Sequence, residues 1–272
     1  MPHHQHRQKT IDTRWNPGQY LKFSDHRLRP AIELLERVPL RSAELIYDLG
    51  CGSGNVTRII KERWSTATVY GLDSSREMLE KAKGQPGNIR WIASNIETWV
   101  PDEKPDLLFS NAALHWVEDH YTLFPRLINF LKKGGCLAVQ MPLSWPAPSH
   151  RLMRETLANG GISGRPLGSE ALRKRVARKW VEDTEVYYDL LNKYTRSLDI
   201  WETEYLQALE GDDPVLEWVK GSGLRPILNG LGDGEREIFL SEYRQRLRET
   251  YRVKPNGCTL YPFRRLFIVA VA

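Results

Sequence analysis

Three glycines at alternate positions, Gly50, Gly52 and Gly54, lie between Asp48 and Asn55 in the run Ile46-Tyr47-Asp48-Leu49-Gly50-Cys51-Gly52-Ser53-Gly54-Asn55. An apolar run ends in an acid, the glycines follow, and then Val56, Ile59, Ile60 and Trp64 recur with the spacing of one helix face. Strand, glycine loop and helix together bring a ligand against backbone N–H groups at a helix N-terminus, because a side chain in the loop would hold it away. Asp73 follows Gly54 by nineteen residues, about the offset of twenty at which an acid reaches ribose hydroxyls in nucleotide folds. Its alternative role, shared with Ser74, is to start the next helix. A dinucleotide fingerprint needs a third glycine where this chain has Asn55, and Asp48 at the strand tip would repel a pyrophosphate. A ligand with a cationic head is therefore preferred, with a dehydrogenase and a plain glycine turn as the alternatives.

Further residues fall at later strand tips. Met78 lies one turn into the helix after Asp73, where an adenine contact and an ordinary core position are equally open. Asn95 and Ile96 follow the third strand, and Asn111-Ala112-Ala113-Leu114-His115-Trp116 follow the fourth. The stretch Asp48–Gly54 resembles the first motif of class I methyltransferases, which implies that S-adenosylmethionine lies across this loop and leaves as S-adenosylhomocysteine. Asp48 would then face the ammonium of a zwitterionic cofactor. The resemblance also implies that Asn95 accepts from the adenine amino group, where many members have an aspartate, with Ile96 against the ring. Asn111, Ala112 and Trp116 would border the cofactor. His115 is open to three roles, as base, substrate donor or loop histidine; no acid partner for its ring is visible, so the last is preferred.

The elements that must position these residues alternate. Short apolar runs at 45–49, 68–72, 89–93, 106–110 and 136–141 read as strands, with helices at 56–64, 76–83 and 121–131. Alternation of this kind argues a parallel sheet covered on both faces. Gly134-Gly135 caps a helix before the fifth strand. Ahead of the sheet, 15–35 is spaced for a helical pair broken near Pro30. After it come helices at 150–157, 171–180, 215–220 and 235–251, the third opened by Asp213-Pro214. Segments 198–206 and 260–271 read as a closing antiparallel pair. The expected fold is Rossmann-like α/β, doubly wound. Its seven-stranded sheet is mostly parallel, with an antiparallel C-terminal strand and a helical cap. Residues 1–13 are expected to form a disordered tail, and 14–272 one methyltransferase domain with cap segments 15–35, 150–195 and 214–251.

Composition narrows the function classes. A net charge of +5 and a pI of about 9.0 suit an anionic small substrate as well as nucleic acid. Cys51, Cys136 and Cys258 are far apart and odd in number, which indicates a reduced, cytoplasmic protein without a metal cluster. The run 266–272 is too short to span a bilayer, and 1–13 lacks the apolar core of a secretory signal. No metal and no membrane partner are expected, and the chain is expected to be a monomer or weak oligomer.

A more specific likeness begins at Gln19. The stretch Gln19-Tyr20-Leu21-Lys22-Phe23-Ser24-Asp25-His26-Arg27-Leu28-Arg29-Pro30-Ala31 resembles the opening of trans-aconitate methyltransferases. So do 47–54, 111–116, 137–142, 218–226 and 265–270. The departures are His115 for a common glutamine, Asn95, Arg264 for a proline, and a longer, more basic 164–180. The resemblance implies esterification, in which a substrate carboxylate accepts the methyl group. Such a nucleophile is already ionised at neutral pH and needs no base. It also implies cations for the remaining carboxylates, with Tyr20 and His115 beside the substrate. Arg27, Arg29, Arg225 and Arg265 lie in the matching stretches, and Arg27 and Arg225 are favoured because their segments should form the lid. The rivals are carbon, nitrogen or oxygen methylation of another metabolite, a nucleic-acid methyltransferase and a non-enzymatic binding protein. Nucleic acid is disfavoured because no N-P-P-Y-type tetrad follows the fourth strand and the basic 171–180 segment reads as a solvated face.

Overall fold

The computed structural model describes residues 24–84 and 87–272, with side chains from Leu28 onward in the first helix. The expected tail at 1–13 and Tyr20 lie outside the described residues. Helix α1, Ser24–Arg37, continues through Pro30 instead of breaking there. Proline forfeits one helical hydrogen bond, but Ala31, Leu34, Leu35 and Val38 behind it are all buried. Packing of that stripe against the sheet outweighs the lost bond.

Strand β1 (Leu45–Leu49) leads through the glycine loop to α2 (Asn55–Arg63), β2 (Thr68–Asp73), α3 (Arg76–Lys83), β3 (Arg90–Ala93) and β4 (Leu107–Asn111). A 3-10 turn at Leu114–Trp116 precedes α4 (His120–Phe130) and β5 (Cys136–Pro142). Then follow α5 (Pro148–Asn159), α6 (Glu170–Ala177), α7 (Thr184–Leu191) and β6 (Ser197–Leu209). The chain closes with α8 (Pro214–Lys220), α9 (Arg225–Gly230), α10 (Asp233–Thr250) and β7 (Thr259–Val271). Among the described residues the expected elements are present to within a few residues, with α7 and α9 additional; the 15–23 part of the expected helical pair lies outside them. The basic helix is shorter than 171–180, because Arg178 turns to extended backbone.

The seven strands form one sheet in the order β3-β2-β1-β4-β5-β7-β6. Pairs β1–β2, β1–β4, β2–β3 and β4–β5 are parallel, and β7 runs antiparallel to β5. Arg196 bonds to Val271 and Arg264 to Glu202, so β6 runs antiparallel to β7, as the closing pair requires. Both faces are covered, which explains the unbroken apolar strands. Leu137, Val139 and Met141 of β5 join α4 and α7 on one face, while Cys136 and Ala138 join α1 and α2 on the other.

The described residues divide into two compact units. Of the described residues, the sheet-bearing unit holds 25–147, 179–208 and 260–272, and the helical unit holds Ser24, 148–178 and 209–259. In the latter, α10 packs on α5 and α8, and α6 on α5 and α9. Tyr243 donates to the Ser149 carbonyl at 3.1 Å, and Tyr251 accepts from the Ser149 amide at 3.0 Å.

Candidate active site

At the end of β1, Gly50 and Gly54 both have φ +77°. A Cβ on Gly50 would lie 2.1 Å from Ala113 Cβ, so glycine is required for the loop to approach the β4 exit. Gly52 faces open space, with nothing within 4 Å of where its Cβ would stand. The amides of Gly50 and Cys51 donate to the Leu72 carbonyl at 2.7 and 3.0 Å, which ties the loop to β2. Gly54 precedes α2 without any side-chain cap, so the first helical amides face the loop uncovered. Asn55 accepts from Arg58 at 2.7 Å.

Asp48 is 2% exposed and accepts from Thr57 Oγ1 at 2.6 Å. Burial pushes its carboxyl up to about 7, against the Thr57 hydrogen bond, and the Asp73 charge pushes the same way. The Cys51 thiol is also pushed up, chiefly by burial, and is no nucleophile. Asp73 joins two elements: one carboxylate oxygen accepts from the Gly52 amide and the other from the Ser75 amide, each at 2.8 Å. The cap of α3 is Ser75, which accepts from the Met78 amide at 3.3 Å. Ser74 is exposed and Met78 is buried at the start of α3.

Asn95 is exposed and turns the chain after β3, accepting from the Glu97 amide at 2.9 Å. Ile96 lies beside Gly50. Arg126 of α4 holds this exit by donating to the Ile96 and Trp99 carbonyls at 2.7 and 3.3 Å. At the β4 exit, Ala112 takes φ +54°, a left-handed conformation costly for a non-glycine residue. The Asn111 Oδ1 atom is buried with no hydrogen-bond partner among the described residues. The ring of half-buried His115 stands 4.7 Å from that of exposed Trp116.

That turn is held by His120, which the sequence did not single out. Its Nε2 bonds to the Leu114 carbonyl at 2.9 Å and its Nδ1 to the Tyr187 hydroxyl at 2.6 Å. Burial lowers the His120 pKa, which favours the neutral ring. Since the Leu114 carbonyl only accepts, the proton sits on Nε2. The structure thus brings together the glycine loop, Asp73, Ile96 and 111–116. Arg27 lies in α1 with its side chain outside the described residues. Arg225 opens α9 in the helical unit, half-buried, its pKa lowered by burial.

A methyltransferase-domain family model matches residues 47–139. A trans-aconitate 2-methyltransferase of Pseudomonas aeruginosa is 46% identical over 260 residues, covering 96% of this chain and 94% of its own. One of Escherichia coli is 41% identical over 256 residues, covering 94% and 97%. The chain belongs to the trans-aconitate 2-methyltransferase family. It is an S-adenosylmethionine-dependent methyltransferase. Among solved structures, YcgJ of Bacillus subtilis gives a TM-score of 0.56 at 13% identity, over 90% of this chain and 98% of its own. Phosphoethanolamine N-methyltransferase 2 of Haemonchus contortus, solved with S-adenosylhomocysteine, gives 0.51 at 15%, over 89% and 52%. Both share the fold.

The residues present fit the cofactor of that family. The open side of Gly52, the uncapped amides of α2 and the acid at the tip of β2 suit an amino acid joined to a ribose. The unpartnered Asn111 Oδ1 is an acceptor, suited to a cationic group. Among the described residues no helix is long and apolar enough to cross a membrane.

Proposed function

We propose that this chain esterifies one carboxylate of trans-aconitate with the methyl group of S-adenosylmethionine. The observation that carries this is the reach of the likeness. Identity of 41–46% extends over 94–96% of the chain, well beyond residues 47–139 that the general methyltransferase model covers. The cofactor supplies an activated methyl group. The protein supplies position: the open side of Gly52 between Gly50 and Gly54, the uncapped amides at the start of α2 and Asp73 hold the ligand, Asp48 sets the charge beneath the loop, and Asn55, Ser74, Met78, Asn95, Ile96, Asn111, Ala112 and Trp116 line the remainder. Because the acceptor is ionised at neutral pH, no residue need remove a proton. His120, whose ring bonds lie on Tyr187 and Leu114, keeps the 111–116 turn in place instead. Tyr20, Arg27, His115 and Arg225 are the proposed substrate contacts. The same proposal has a cytoplasmic monomer or weak oligomer that takes a small carboxylate and no nucleic acid.

A methyl-transfer assay over polycarboxylates, amines and RNA tests this. Label transferred to trans-aconitate and released as methanol in alkali is the expected result. Alkali-stable label on another acceptor overturns it.

A further inference from the structure

The cofactor residues occupy one side of the sheet order. Asn95 follows β3, Asp73 ends β2, the glycine loop follows β1 and Asn111 ends β4, so a cofactor held by these proposed residues would track β3-β2-β1-β4 and leave the acceptor toward β5 and β7. Two of the buried polar residues on that side, both level with the C-terminal end of β5, have no part in the proposed cofactor site. Gln140 of β5 is 0% exposed and Arg265 of β7 is 4% exposed. Gln140 stands opposite Asn111 in the β4–β5 register, and Arg265 opposite Pro142, at the C-terminal edge of the sheet. Arg265 Nη1 donates to Gln140 Oε1 at 3.2 Å. A guanidinium only donates, so this bond fixes which way the Gln140 amide faces. Its NH2 group is then a buried donor, and Nε2 has no hydrogen-bond partner among the described residues. The guanidinium is stacked as well as bonded: its carbon lies 4.7 Å from the Phe263 ring centroid and 5.9 Å from that of Tyr205. Tyr205 is anchored by donating to Glu33, which pairs with Arg29 at 2.7 Å.

We propose that Arg265 and the Gln140 side-chain amide bind a non-reacting carboxylate of the substrate. A pre-oriented guanidinium with a buried amide donor beside it is a site for a carboxylate, since both groups only give hydrogen bonds there. The bound group is a spectator because strong donors on the attacking oxygen would weaken it as a nucleophile. The cofactor's own carboxylate is the other source of the same chemistry. Against it, β7 stands three strand spacings from β1, about 14 Å. This rests on the polycarboxylate reading above and deepens it: Arg265, not Arg27 or Arg225 alone, selects the polyacid.

The test compares trans-aconitate with analogues in which one carboxylate is replaced by an amide, in the parent and in Gln140→Met and Arg265→Lys. Binding to the protein loaded with S-adenosylhomocysteine is measured by calorimetry, and kcat/KM by methyl transfer. The expected result is a parent preference for the full acid that falls by roughly twentyfold or more in the variants, with cofactor affinity unchanged. An unchanged preference, with all acids falling together, makes the pair a structural network and overturns the proposal. Loss of cofactor affinity in both variants assigns the pair to the cofactor and also overturns it. Polyacid binding that depends on Arg265 without any methyl transfer to acids supports the clamp and sinks the esterification reading. A parent protein that neither binds nor methylates polyacids sinks both.

Discussion

Asp48 is the acid of the candidate site that burial displaces from its ordinary ionised state. Its carboxyl is pushed up to about 7 by burial, against about 3.9 in an unfolded chain. An acid raised on folding contributes stability that is complete below about pH 4 and lost as pH rises through about 7. Asp48→Asn should therefore gain on the parent in unfolding midpoint from pH 5 to pH 8 when no cofactor is present. Bringing the cofactor's ammonium near Asp48 would restore the charge and release a proton. Calorimetry at pH 7 in two buffers of different ionisation enthalpy should then give different apparent heats for the parent and equal heats for Asp48→Asn; equal heats in both would remove Asp48 from the cofactor's field. Asp73 is a different case, because its carboxylate holds both the Gly52 and Ser75 amides at 2.8 Å. Asp73→Ala loses charged acceptance worth about 1.5–3 kcal/mol. S-adenosylmethionine affinity should fall by about tenfold or more, measured by titration, and an unchanged dissociation constant would reduce Asp73 to a loop anchor.

Among the elements, the glycine loop and the β4 exit are one device. Gly50→Ala would place a methyl 2.1 Å from Ala113 Cβ on a backbone at φ +77°. Left-handed backbone alone costs about 1–3 kcal/mol, and the 112–116 turn must also move. Thermal unfolding should register the first effect and cofactor titration the second; a variant with parental affinity would show that the two segments are independent. Such elements were legible because their signals are local. Apolar runs mark strands, the 3.6-residue stripe marks α2, and Gly54 precedes a helix. The Gln140–Arg265 bond joins residues 125 apart, and His120–Tyr187 spans 67, so no window along the chain contains either pair. Pro30 misled for the same reason: its cost is local, while the burial of Leu34 and Leu35 that offsets it is made with distant strands. Helix α9 was hidden because Pro226 and two nearby glycines mark breaks before they mark a start.

At the scale of the whole molecule, all residues assigned to the cofactor lie in the sheet-bearing unit. Ligand at a hundred times its dissociation constant should raise unfolding stability by about 2.7 kcal/mol. In a melt read by both circular dichroism and intrinsic fluorescence, one coincident shift is expected if the two units unfold together, and a shift confined to one of two transitions if they do not. The chain passes between the units at 147/148, 178/179, 208/209 and 259/260, so each unit is assembled from separated stretches and many contacts are non-local. Cutting the backbone at 178/179 would leave two fragments, each carrying part of the sheet: β1 to β5 in one, β6 and β7 in the other. Neither fragment can leave without pulling β7 away from β5. A protease nick there should thus show two bands on a denaturing gel and a single, undiminished particle on a sizing column. The fold is stitched by its own topology, and a broken covalent link need not release anything.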